Sequence, residues 1–163
     1  MRSSTGSCSV TRTTTSLKRL AKSVYLPLRA ALTAPVSAAA LAVNYVYARL
    51  PGRRVEYHWN AEHWVVVCCG GPTSLGAGAT TFGAVINTRY SYEAFMAAND
   101  GRLMAHETKH TDQWAIFGAK GFAILYGIAA AADWIGSKRK GWRQGTHNPF
   151  EIWADLTEGG YRR

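Results

Sequence analysis

Acidic side chains are missing from the first 54 residues of this 163-residue chain, which carry nine lysines and arginines and no aspartate or glutamate. Residues 55–163 hold ten basic and ten acidic side chains, so the whole net charge of +9 belongs to the N-terminal third. Cysteine is scarce as well. Cys8, Cys68 and Cys69 are odd in number and two of them are adjacent, which excludes a disulfide framework. Neighbours on a strand point to opposite faces, so a Cys68–Cys69 bond would be strained, and a reduced structural role is expected. No C-x-x-C exists to build a zinc ribbon, and the small-residue loop Ser74–Ala79 lacks the following Gly-Lys-Ser/Thr of a phosphate loop. With no recognition motif or aromatic platform beside the basic residues, nucleic acid is not the expected partner. A hydrophobic content of 47% at this length suits one globular domain with a real core.

Residues 1–16 are rich in Ser and Thr with scattered Arg, too polar to bury a core, and are expected to form a disordered basic tail. Residues 17–50 are apolar and basic-flanked. Within them, Ala30 to Ala48 is a run of 19 uncharged residues, at the lower limit for crossing a bilayer. The run is mostly alanine and is interrupted by Thr33, Pro35, Ser37 and Asn44. Three readings stay open: a membrane insertion or signal anchor, a helix packed on the following domain, and an amphipathic surface helix or cleaved signal. Location is correspondingly either membrane-associated through this segment or cytoplasmic. Leu50-Pro51-Gly52 breaks the pattern and starts a domain over 51–163.

Within that domain, Val55–Trp59 and Trp64–Cys69 read as a β-hairpin, with His58 and His63 as exposed turn residues, and Thr80–Thr88 as a third strand. Tyr92–Ala98 reads as a short helix stopped by Asn99-Asp100-Gly101. Arg102–Phe117 reads as a longer helix ended by Gly118, and Lys120–Ile135 as an apolar core helix too short to span a bilayer. Ser137–Thr146 is a basic loop. The fold class is α+β: a small sheet packed on the long helix, two further helices, and a basic N-terminal helical arm.

His106-Glu107-Thr108-Lys109-His110 is H-E-x-x-H on that long helix. Residues i and i+4 share a helix face, so both imidazoles can reach one metal, with Glu107 placed to act as general base on a water. The spacing is that of zinc hydrolases, which need a third protein ligand and an open position. Further along, Asn148-Pro149-Phe150-Glu151-Ile152-Trp153-Ala154-Asp155 reads as a helix start, with Asn148 as N-cap, Pro149 at N1 and Glu151 at N3.

In these two segments the chain resembles the gluzincin branch of the zincin metallopeptidases, whose second helix carries E-x-x-x-D. The resemblance implies Zn2+ held by His106, His110 and Glu151, with Asp155 accepting a hydrogen bond from the far nitrogen of a ligand histidine. The metzincin pattern does not apply, since Gln113 replaces its glycine and Ile116 its third histidine. The fragments H-E-x-x-H-x-x-Q-W and N-P-F-E-x-x-A-D are similar to small bacterial zincin-like domains, over about Gly78 to Tyr161. The implied function is peptide-bond hydrolysis of a peptide or protein substrate, held on an edge strand that the resemblance places at the third strand. The alternative is a non-proteolytic zinc domain acting as a membrane-associated interaction module. Other readings of the site also stay open: His147 or Asp133 as third ligand, Glu151 as half of a capping box, Asp155 as a surface carboxylate, and Tyr126 or Tyr161 as the donor that stabilises an oxyanion.

Overall fold

Short β-branched runs make four strands: β1 Glu56–Asn60, β2 Val65–Cys69, β3 Ala79–Phe82 and β4 Val85–Thr88. The computed structural model describes residues 10–74 and 77–160, with side chains described from residue 20 onward. The strands form one mixed sheet in the order β1-β2-β4-β3; β1 is antiparallel to β2, β2 parallel to β4, and β3 antiparallel to β4. The expected third strand is therefore a hairpin. Gly83, at φ 62°, and Ala84 turn the chain back so that Phe82 pairs with Val85. This places β3 at an edge of the sheet and β4 inside it.

Four helices complete this α+β fold among the described residues: α1 Val10–Tyr47, α2 Tyr92–Ala97, α3 Leu103–Lys140 and α4 Pro149–Trp153. β2 is buried on both faces. Val65, Val67 and Cys69 pack with Ile86, Phe95 and Met104 on the α2–α3 side, while Cys68 packs with Val85 and Ala40 of α1 on the other. Both cysteines are free, and burial pushes their thiols up, Cys68 to about 12 and Cys69 to about 11.

α1 starts at Val10, ahead of the expected boundary at Leu17; residues 1–9 lie outside the described residues. It is a wall of the domain rather than an appended arm. Its inward stripe, Leu26, Arg29, Thr33, Ser37, Ala40 and Asn44, recurs every three or four residues and is mostly polar. Arg29 pairs with Asp112 of α3 at 2.8 Å and also donates to the His63 carbonyl. Ser37 Oγ accepts from the Ala84 amide at 2.8 Å, and Asn44 Nδ2 donates to Asn87 Oδ1 at 2.8 Å.

α3 runs through Gly118, whose φ of 68° and ψ of 168° break the helix into two arms. The first arm carries the H-E-x-x-H motif and is buried along His106, Glu107, His110, Gln113 and Trp114. The second arm, expected as core, is largely exposed: Phe122 is buried, but Ile124, Leu125 and Ile128 face outward. Its inner side instead forms part of a cleft wall, through Phe122 and Tyr126. Of the two histidines expected in an exposed turn, His58 lies within β1, stacked on Tyr92, and His63 is half-buried.

Candidate metal centre

The first arm of α3 presents His106 and His110 one turn apart, and the loop after α3 folds back to bring α4 against them. Asn148 caps α4 by accepting from the Phe150 amide at 3.0 Å, with Pro149 as the first helical residue. Asp133 fixes the approach of that loop: its carboxylate accepts from the amides of Gly145 and His147. It is thus committed to the loop and does not serve as a ligand. His147 is exposed and stacks on Trp142.

The geometry brings His106, His110 and Glu151 together. All three are buried. The two imidazole Nε2 atoms lie 3.2 Å apart, His106 Nε2 is 3.2 Å from Glu151 Oε2, and His110 Nε2 is 3.6 Å from Glu151 Oε1. Donors about 2.05 Å from a tetrahedral ion sit about 3.3 Å from one another, so this triangle has the dimensions of three ligands around one cation.

Hydrogen bonding on the far side of each ring turns both Nε2 atoms toward Glu151. His106 Nδ1 lies 3.0 Å from the carbonyls of both Ala154 and Asp155, groups that only accept, so Nδ1 carries the proton. His110 Nδ1 lies 2.8 Å from Gln113 Oε1, and the Gln113 amide nitrogen donates to the Phe150 carbonyl at 2.9 Å, which fixes the side chain with its oxygen toward His110. Both rings therefore keep a proton at Nδ1 and turn Nε2 toward the Glu151 carboxylate. With Glu151 ionised among them, the three atoms favour a positive charge at their centre, either a proton on an imidazole or a metal ion. Burial opposes charge on His110, but the Glu151 hydrogen bond, the Glu107 and Glu151 charges and Gln113 outweigh it, raising His110 to about 9. Burial likewise opposes ionisation of Glu151, yet its hydrogen bonds to His106, His110 and Tyr126 hold it well below the usual carboxylate range. This buried group can hold a metal ion.

The Asp155 carboxylate does not take the expected place beside a histidine. α4 stops at Trp153, and Asp155 adopts a left-handed φ of 70°, which ends the i, i+4 relation to Glu151. Its side chain accepts from the Thr157 amide and hydroxyl and from the Glu158 amide. Its backbone carbonyl, with that of Ala154, orients His106 instead. Glu151 is not the return half of a capping box either, since the Asn148 amide donates to Gly145. Gln113 and Gly159 complete the centre and were not singled out as site residues. Gln113 had a signal, lying at i+3 from His110 on the same helix face. Gly159 had none: a Cβ there would sit 2.6 Å from the His106 ring.

Around the ligands opens a cleft of about 590 Å³, lined by β3, the first arm of α3, Phe122, Tyr126 and Arg143. Glu107 is buried at its edge and accepts from Thr81 Oγ1 at 2.5 Å through Oε2. The Trp114 indole donates to the Thr81 carbonyl at 3.0 Å, tying the edge strand to the helix. Tyr126 donates to Glu151 Oε1 at 2.6 Å, so its hydroxyl orients a ligand carboxylate. Tyr161 lies outside the described residues. The chain matches no family model, curated protein or solved structure.

Gln113→Leu keeps the volume but removes the acceptor that fixes the His110 tautomer. The expected result is a loss of about 10–100-fold in metal affinity with the fold intact, measured by competition with a chromogenic chelator.

Proposed function

We propose that this chain is a zinc-dependent peptidase. One observation carries the reading: three convergent ligand atoms of the His₂Glu type open into the same cleft as Glu107, beside the edge strand β3. Two imidazoles and a carboxylate are a donor set that suits zinc, with a fourth position left for water. When bound, zinc would polarise a substrate carbonyl and bring the pKa of a water toward about 7.

Glu107 takes the proton from the attacking water and passes it to the amine nitrogen as the carbon–nitrogen bond breaks. The Thr81 hydroxyl holds Glu107 through Oε2, which leaves Oε1 to meet the water. Tyr126 keeps Glu151 oriented as a ligand. β3 pairs with β4 on one side and lines the cleft on the other, so an extended substrate can add to it by backbone hydrogen bonds without a demand for sequence. An unfolded or flexible polypeptide is the substrate class this arrangement suits.

The test is metal removal. Stripping the protein with a chelator should abolish cleavage of an unstructured, quenched-fluorescent peptide library, and equimolar zinc should restore it. If the zinc-loaded protein cleaves no such peptide, the proposal fails.

A further inference from the structure

α1 is amphipathic the wrong way round for a helix in water. Its inward stripe carries Arg29, Thr33, Ser37 and Asn44, while Leu20, Val24, Leu28, Leu32, Val43 and Val46 point outward. The second arm of α3 repeats the pattern. Phe122, Tyr126 and Asp133 face the domain, while Ile124, Leu125, Ile128 and Ile135 are exposed. Both helices are long and apolar enough to cross a membrane, yet only 6% of the apolar window of α3 is buried, unlike the core helix of a soluble protein.

What α1 holds argues against its crossing a bilayer. Ser37 and Asn44, near the middle and end of the uncharged run, are hydrogen-bonded to the β3–β4 hairpin. A spanning α1 would drag that hairpin and its sheet edge into hydrocarbon, where unpaired backbone groups are not tolerated. Charge points the same way. Lys18, Arg19 and Lys22 cluster around the start of the apolar face of α1, and Arg49, Arg53 and Arg54 follow its end. Lys120 and the run Lys138-Arg139-Lys140 bracket that of α3. A spanning helix concentrates its basic residues on one side of the bilayer, whereas basic residues at both ends suit a helix lying along an anionic surface. At the N-terminal end of that face, Lys22 reaches Glu62 at 3.8 Å, in the turn between the exposed Trp59 and Trp64, a residue type favoured at the membrane–water interface.

We infer that the protein binds anionic lipid bilayers in the plane of one leaflet, with the outer faces of α1 and of the second arm of α3 both seated in the headgroup–acyl boundary. This does not depend on the peptidase reading. It adds that the cleft wall carrying Tyr126 has lipid behind it, so the substrate of such a centre is a polypeptide segment at the membrane surface.

Flotation of the metal-loaded full chain on phosphatidylcholine vesicles containing about one-third phosphatidylserine tests binding. Wild type should float with these vesicles and several-fold less with phosphatidylcholine alone. The pairs Leu28→Glu/Leu32→Glu and Ile124→Glu/Ile128→Glu should each remain at the bottom while retaining wild-type metal content. Orientation is read in a Cys8→Ser background carrying Ser23→Cys or Leu50→Cys. On sealed vesicles an impermeant maleimide should label both positions from outside, and this arm stands even if a glutamate pair fails to fold. The inference is overturned if wild type does not float, if only one of the two positions is labelled, or if the glutamate pairs abolish a solution dimer and leave flotation unchanged, which would make a second copy the true occupant.

Discussion

Glu151→Ala is expected to cost the protein its metal: at concentrations that saturate wild type, the measured metal content should fall to near background. Removing a residue that merely orients a ligand costs about 10–100-fold in affinity, and removing a ligand should exceed that. The physical reason is charge as much as geometry. As metal ligands His106 and His110 would donate through uncharged nitrogens, each with its Nδ1 proton committed, so Glu151 would supply the only negative charge among the three ligand atoms. Its loss also removes the acceptor to which the Tyr126 hydroxyl donates at 2.6 Å. Glu151→Gln keeps an oxygen donor of the same shape and should fall between the two. Full metal content in Glu151→Ala, measured by inductively coupled plasma mass spectrometry, would mean that another residue completes the centre.

Glu107→Gln should do the opposite, leaving metal content at the wild-type level while peptide hydrolysis drops by about 10²–10⁴-fold. Glutamine keeps an oxygen to accept from Thr81 Oγ1, so the contact between β3 and α3 survives and the fold is not at stake. What is lost is the ability to take a proton. Undiminished hydrolysis in this variant would refute the role of Glu107 and with it the peptidase proposal, while the metal centre would stand. The two substitutions therefore separate binding from chemistry: one empties the site, the other leaves it loaded and idle.

The ligand pair was legible because a helix has a fixed repeat; any H-E-x-x-H on a helix puts its imidazoles on one face, whatever surrounds it. Glu151 was legible through its resemblance to a known ligand helix and through a helix start written in Asn148 and Pro149. Asp155 fails because that reasoning carried the helix one turn too far. Nothing local in Trp153-Ala154-Asp155 announces a left-handed residue, and the hydrogen bonds to His106 come from main-chain carbonyls, which every residue possesses and no pattern betrays. The split of residues 79–88 into β3 and β4 turns on the pair Gly83-Ala84, inside a stretch whose composition reads as continuous strand. The outward face of the second arm of α3, expected as core, departs from the sequence reading for a different reason. Periodicity locates an apolar face but does not say what it faces, and here α1 gives the domain its polar side.

His106 leans on the carbonyls of Ala154 and Asp155 and packs against Gly159, so residues far along the chain complete the surroundings of a motif placed fifty residues earlier. During synthesis the H-E-x-x-H segment leaves the ribosome long before they do. Until residue 159 has emerged, the nascent polypeptide has a pair of imidazoles and no enclosure for an ion. An ion could therefore be enclosed only once residues 154–159 have joined the motif, and a chain interrupted before them would carry the H-E-x-x-H pair without its surroundings.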